Sequence, residues 1–354
     1  MQYDEVAAIP MKSAGPIKII SKELVGELKV PMATFETPVW PSTNRGAKVS
    51  RMCGGIQAVI IDDRMTRSIV LEAPSAQQAY AILESLQQRE QDIAYVISTT
   101  GRFAKLKDWH CQIVGNLLYM RIAISSGDAA GHNMVTAAAE GILNWLLAQY
   151  SELNYVSISA NYCVDKKVSA VNGILGRGKY VVAEILVTKE VCHEVLKSTP
   201  ERIVDLHIKK NLIGTMLAGG LRSANAHFAN MLLAIYLATG QDAANIIEGS
   251  QGMVHAEVRQ EDLYFSVTLP NIIVGTVGNG KHLTFTKNNL IKMGCYSAKE
   301  PAVAARRLAI IVAATVLCGE LSLLAAQTNQ GELMRTHFKM ERASLQNIEK
   351  KEFV

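Results

Sequence analysis

The sequence has no C-x-x-C pair, no G-x-G-x-x-G and no dense Lys/Arg tract. Its six cysteines (53, 111, 163, 192, 295 and 318) stand far apart. Zinc-finger spacing is therefore absent, no metal is expected, and a reduced, cytoplasmic setting is. The missing glycine motif removes the usual dinucleotide fingerprint. A net charge of +4 without a basic tract gives no footprint for nucleic acid, so none is expected as a partner. The most apolar stretch, Leu308 to Cys318, runs into Gly319 and Glu320. A bilayer span takes about 20 apolar residues, so this stretch reads as a buried helix and no membrane association is expected. Met1-Gln2-Tyr3-Asp4-Glu5 shows neither the basic start nor the apolar run of a signal peptide.

What is present suits a packed α+β protein. With 354 residues, 49% of them hydrophobic, there is enough chain for a large core and for two domains. Residues 1–30 read as short extended pieces, and a strand is expected at Ala58 to Ile61. Val70 to Glu72 reads as extended, Ser75 to Gln87 as helix, Ala94 to Thr99 as extended, Leu117 to Ser125 as strand and Asn133 to Tyr150 as helix. Tyr155 to Ala160 alternates like a strand. Further on come a strand (Tyr180 to Val187), a helix (Lys189 to Ser198), a long helix containing Ala224 to Thr239, and a strand (Leu263 to Val274). A buried helix closes the pattern at Pro301 to Ala326. Strands and helices mix without regular alternation.

Asn161-Tyr162-Cys163-Val164-Asp165-Lys166-Lys167 sets two ammonium groups beside a carboxylate. Aimed into a cleft, such a pair holds negative charge developing on a carbonyl oxygen; on a solvated loop it does nothing. Glu36 is flanked by apolar residues, and poor solvation would make it a proton donor near neutrality. Asp242 follows Gly240. If that glycine stops the preceding helix, the carboxylate faces the negative end of the dipole, which disfavours ionisation. Gly127-Asp128-Ala129-Ala130-Gly131-His132-Asn133 joins a strand to a helix, where free N–H groups bind phosphate or a side chain merely caps. The Arg102 guanidinium offers a grip on a further phosphate. Gly173 to Tyr180 imitates a P-loop, but Tyr180 stands where Ser or Thr would hold magnesium, and a strand follows. Gly275 to Gly280 is either an anion nest or a hairpin turn.

Taken in order, these pieces resemble the 3-hydroxy-3-methylglutaryl-coenzyme A (HMG-CoA) reductase family, closer to class I than to class II. The matching motifs run over about 300 residues, roughly Pro31 to His337: Ser42-Thr43-Asn44-Arg45-Gly46, Met65-Thr66-Arg67, Arg102-Phe103-Ala104, Ser126-Gly127-Asp128-Ala129, Asp165-Lys166-Lys167, Lys210-Asn211-Leu212, Asn225-Ala226-His227, Gly240-Gln241-Asp242 and Gly319-Glu320-Leu321. The resemblance implies NADPH-dependent reduction of HMG-CoA to mevalonate and free coenzyme A. It gives Lys166 the carbonyl oxygen, Glu36 the proton, and Asp242 a hydrogen-bonding role toward both. His337 would protonate the departing thiolate. Arg67, Ser159, Asp165, Lys167, Lys210 and Asn230 would hold the acyl part, while Ser42, Asn44 and Arg45 fall on the coenzyme A side. Arg102, Phe103, Asp128, Gly131, Asn133 and Met134 fall on the cofactor side.

The implied fold is a large domain (1–68 and 158–354) around a long central helix. A small ferredoxin-like domain (69–157) would be inserted for NADP(H). A homodimer or higher homo-oligomer with interfacial sites is implied as well. The alternatives are a non-catalytic acyl-CoA-binding relative and, from another class, a nucleotide-triphosphate switch built on the P-loop imitation.

Overall fold

The computed structural model describes residues 5–296, 300–336 and 338. The chain opens with β1 (Met11–Ile20), β2 (Val25–Ala33), α1 (Val39–Met52) and the long β3 (Ile56–Glu72). There follow α2 (Ala76–Gln87), α3 (Glu90–Thr99), β4 (Lys105–Val114), β5 (Leu117–Ser125), α4 (His132–Gln149) and β6 (Asn154–Ser157). Next come α5 (Val171–Leu175), β7 (Gly178–Val187), α6 (Lys189–Val191), α7 (Pro200–Leu206), α8 (Thr215–Leu217) and α9 (Phe228–Ala238). The order ends with α10 (Ile246–Gly249), β8 (Met253–Arg259), β9 (Asp262–Ile272), α11 (Thr284–Lys292) and α12 (Val303–Gln327). Wide π-turns continue α6 over Cys192–Leu196 and α7 over His207–Gly214.

Two hydrophobic cores form on the two halves of β3. Through Arg64 it pairs with β7 in the larger sheet, ordered β2-β1-β3-β7-β9-β8. From Met65 onward it pairs instead with β5. There the order is β4-β5-β3-β6, antiparallel throughout. Buried side chains of α2, α3 and α4, Ile82, Ile97 and Ala138 among them, pack with that smaller sheet as one cluster. The change of sheet falls between residues 64 and 65, ahead of the boundary expected at 69.

The larger core is built on α12. Its Ala-rich, nearly uncharged sequence buries 94% of its most apolar stretch inside the protein. It is long and apolar enough to cross a membrane, but here its partners are helices and a sheet. Helix α1 crosses it at Gly46, where an added Cβ would stand 2.2 Å from the Cys318 carbonyl oxygen. From the other side Met231 of α9 packs on Gly319, and the rings of Phe228 and Tyr236 join the same cluster.

The sequence expectations at 75–87, 117–125, 133–150, 180–187 and 301–326 match helices or strands of the expected kind. Ala94 to Thr99 does not: it belongs to α3. Ile93 and Ile97, four residues apart, are both fully buried, and Glu90 and Asp92 sit in the first turn where the helix dipole favours them. The expected long helix from Ala224 begins only at Phe228, because Asn225, Ala226 and His227 turn their amides or amide side chains to other partners. The expected strand from Tyr155 to Ala160 pairs only as far as Ser157.

Candidate functional site

The 161–167 loop is held in an unusual backbone path. Asn161, Val164 and Lys166 all have positive φ (55°, 41° and 55°), a cost for side-chain-bearing residues that persists only where surroundings impose it. The impositions are visible. The Tyr162 and Cys163 amides both donate to Ser68 Oγ at 3.0 Å, Asn172 donates to the Val164 carbonyl at 2.7 Å, and the Lys166 amide donates to Glu248 Oε1 at 3.1 Å.

Beneath the loop lies a buried ion network. Arg177, 1% exposed, donates to Asp165 Oδ1 at 2.5 Å and to the Thr66 carbonyl at 2.6 Å, with Glu248 Oε1 at 3.5 Å. Glu248 is fully buried and also accepts from Asn245 at 3.1 Å. Burial raises its pKa, against the pull of the Lys166 amide and the Arg177 charge. Neither residue was singled out from the sequence; only the odd composition of the P-loop imitation marked Arg177. In that imitation Lys179 is buried and paired with Asp63 at 3.2 Å, so its ammonium is not free for a phosphate.

On top of this base, Lys166 Nζ meets Asp242 Oδ2 at 2.6 Å. The hydrogen bond to Asp242 raises the Lys166 pKa. Burial pushes Asp242 upward, but the Lys166 ammonium and the Ala244 amide outweigh it, and its pKa falls below the usual carboxylate value. Helix α9 does stop before Asp242, as the dipole argument required. The direct ion pair overrides the dipole. Arg67, on β3, has a buried Nε without a hydrogen-bond partner among the described residues. Lys167 and Ser159 are exposed on the same loop, Lys167 donating to the Asp165 carbonyl at 3.3 Å.

Glu36 is elsewhere. It lines a cleft of about 450 Å³ with Ser42, Arg45, His227, Asn230 and Leu323, between α1, the start of α9 and α12. Its side chain is exposed, so the burial expected from its apolar neighbours is missing within one chain. Arg45 is locked to the Ser322 carbonyl at 2.6 Å and to Glu332 at 2.9 Å, and Ser42 bonds Ser322 Oγ at 3.0 Å. Lys210 bonds Asn211 at 3.1 Å; burial lowers its pKa, opposed by Glu320, whose carboxylate binds the Ala226 and His227 amides of the cleft wall. Asn44 points away, its Oδ1 accepting the Gly15 amide of β1 at 2.8 Å. Asn230 stands at the start of α9 and Asp242 beyond its end, so about 12 Å of helix separates the cleft from the Lys166 pair. His337 lies outside the described residues.

The cofactor-side candidates gather at the start of α4. Gly131, at φ +98°, leads into the helix with no side-chain cap, leaving first-turn amides open. Exposed Asn133 and part-buried Met134 follow. The Arg102 guanidinium sits 5.1 Å from the Phe103 ring, and that ring packs against the Gly127 turn. Asp128 is engaged otherwise: it accepts the Ala302 and Ala305 amides at 3.0 and 2.9 Å, capping α12. Its carbonyl takes the Thr276 amide at 2.8 Å, so the 275–280 glycine run packs against this turn rather than standing free as a nest or hairpin.

The architecture is that of a known group of oxidoreductases. It superposes on the class II HMG-CoA reductase of Streptococcus pneumoniae, solved with NADPH in open conformations, with a TM-score of 0.73 over 92% of this chain and 77% of that one, at 19% identity. Sequence goes further. The family model described as hydroxymethylglutaryl-coenzyme A reductase matches residues 6–342. The 3-hydroxy-3-methylglutaryl-coenzyme A reductase of Pyrococcus abyssi is 44% identical over 327 residues, 91% of this chain and 79% of that protein. That of Aeropyrum pernix is 42% identical over 339 residues, 95% of this chain and 80% of that protein. The chain belongs to the hydroxymethylglutaryl-coenzyme A reductase family, and the gap in identity sets it apart from the class II branch.

Proposed function

We propose that this chain reduces HMG-CoA to mevalonate and free coenzyme A, with NADPH as reductant, and that its reacting groups come from two subunits. The observation that carries the reading is the Lys166–Asp242 pair at 2.6 Å, held over a buried Arg177–Asp165–Glu248 base. An ammonium fixed in this way meets the thioester oxygen as it becomes an alkoxide, without reorganising at the moment of reaction. Asp242 keeps the ammonium in place and charged. After the carbon–sulfur bond breaks, the same ammonium serves the aldehyde oxygen in the second reduction. The first hydride and one proton give the hemithioacetal, whose hydroxyl proton is given back as the carbon–sulfur bond breaks. The aldehyde oxygen takes up a proton again with the second hydride, and we assign each of these transfers to Glu36. The thiolate takes its proton from His337.

Bound at α4, NADPH supplies the hydride for each reduction. The open amides behind Gly131 suit its pyrophosphate, and the exposed Arg102 guanidinium suits the 2′-phosphate. Arg67, Ser159, Asp165, Lys167, Lys210 and Asn230 are assigned to the acyl portion, Ser42 and Arg45 to the coenzyme A side. The antiparallel β4-β5-β3-β6 order with its helices supports a ferredoxin-like domain over 69–157, set into a large domain (1–68 and 158–354) around α12 as its central helix.

Glu36 and Lys166 lie apart within one chain, so a complete site requires a second copy to bring its Glu36 cleft to this Lys166. Exposed apolar groups beside the loop, Val168, Ile174 and Ile247, with Met216 and Leu217 (74% and 88% exposed), supply the surface for that contact. Anaerobic incubation of the purified protein with HMG-CoA and NADPH tests the activity. Two NADPH oxidised per thiol released is the expected result; binding of HMG-CoA without oxidation would identify a non-catalytic relative instead.

A further inference from the structure

His132, the first residue of α4, has no part in the mechanism above, yet it faces the same ion network. Its Nε2 is buried without a hydrogen-bond partner among the described residues. Asp165 Oδ1 stands 3.7 Å from it, beyond hydrogen-bond reach, and Arg177 already holds that oxygen at 2.5 Å. Charged groups surround the ring from three directions: Arg177 from the turn before β7, Asp165 and Lys166 from the loop, and Asp242 from beyond α9. Burial, then the Arg177 charge, holds the pKa of the ring below the usual histidine value, so it is neutral in the resting protein.

A proton on this ring would change the balance of the network. It would add a third cation beside Arg177 and Lys166, with one short route to a partner, toward Asp165 Oδ1. Asp165 is joined directly to Lys166, and the backbone on both sides of it has positive φ at Val164 and Lys166. A pull on the carboxylate is therefore passed to the ammonium through a loop that is already constrained.

We infer that His132 is a positioning residue whose hold on Asp165 depends on its charge. Uncharged, it leaves the carboxylate to Arg177 and the Lys166–Asp242 pair undisturbed. Charged, it draws Asp165 toward α4 and turns the Lys166 ammonium away from the carbonyl oxygen, so reduction falls on acidification. This rests on the reductase reading.

The test is steady-state HMG-CoA reduction by the full chain from about pH 5 to 8 at constant ionic strength, for wild type, His132→Met and His132→Gln. Neither variant can gain a proton at this position. The ratio of kcat near pH 5.5 to kcat near pH 7.5 should rise at least ~3-fold in both. Each ratio is internal to its own protein, so partial loss of folded enzyme cancels. His132→Lys, a permanent cation, should lose ~10-fold in kcat near pH 7.5 with a much smaller change in KM for HMG-CoA. The same ratio in all three proteins, in an active enzyme, overturns the inference about His132 alone. No NADPH oxidation by wild type at any pH overturns the reductase reading with it.

Discussion

In the proposed mechanism Lys166 carries the largest share of the chemistry, and Arg177 beneath it carries the largest structural risk. Removing the ammonium in Lys166→Ala takes away the one donor assigned to the developing oxyanion, and kcat should fall about 10²–10³-fold. Stopped-flow or steady-state NADPH oxidation reads this directly, and near-normal turnover would remove Lys166 from the mechanism. Arg177→Met leaves Asp165 and Glu248 without their shared cation, one of them fully buried. Breaking a buried pair from one side costs about 3–5 kcal/mol, so this variant should melt well below wild type. His207 gives a pH effect with a clear sign. It is 2% exposed, and burial, with His255 and Lys210 nearby, lowers its pKa to about 4 from 6.5. The unfolded chain takes up that proton first, so the stabilisation is complete above pH 6.5 and is lost as pH falls toward 4, by about 1.4 kcal/mol per pH unit. Melting temperatures at neutral and mildly acid pH should diverge less in His207→Gln than in wild type.

At this scale the sequence picked out Lys166, Asp242 and Arg102 as candidates because their motifs are local, and the fold brings the first two together at 2.6 Å. It did not disclose Arg177, Glu248 or His132 as neighbours of Lys166. Their proximity comes from segments brought together by the sheets. Asp128 and Asn44 carried motif signals, but in the fold their oxygens accept backbone amides from α12 and β1.

Among the elements, α1 and α12 matter most for the Glu36 cleft, because α1 carries Ser42 and Arg45 to it. Their close approach depends on Gly46. A methyl group there would meet the backbone of α12 at Cys318, which cannot move aside as a side chain can. Gly46→Ala should therefore destabilise by about 1–3 kcal/mol and raise KM for HMG-CoA, measured by thermal melting and steady-state kinetics. Helix α12 was legible from composition alone, being apolar on nearly every side. Helix α3 was not: Ile93 and Ile97 carry the helical spacing, while the β-branched Val96, Ile97, Thr99 and Thr100 argue for a strand, and packing against α4 decides it. Helix α1 was hidden by the Pro, Gly and Ser content of its segment, and β4 and β8 by apolar alternations too short to stand out among charged neighbours, Trp109-Cys111-Ile113 and Val254-Ala256-Val258.

For the whole molecule, the proposed function and the separation of Glu36 from Lys166 together make a prediction about assembly. Glu36→Gln and Lys166→Ala should each be inactive alone. If a site takes one residue from each subunit, mixing them and allowing exchange should restore about a quarter of wild-type activity, since half the dimers are hybrids with one intact site in two. No recovery after verified exchange would place both residues in sites completed within one chain.

Strand β3 runs through both sheets, changing partners between Arg64 and Met65, a few residues past a shift of register against β7 at Ile60 to Asp62. In the proposed reductase, a reorientation of the half assigned to NADPH relative to the rest would be taken up as torsion along this strand. Thr66 and Arg67 stand just past the handover, Thr66 bonded to Arg177 and Arg67 bearing an unpartnered nitrogen. Any such torsion would reach the floor of the Lys166 loop before it reached the cofactor, coupling hydride alignment to the readiness of the ammonium that receives the charge.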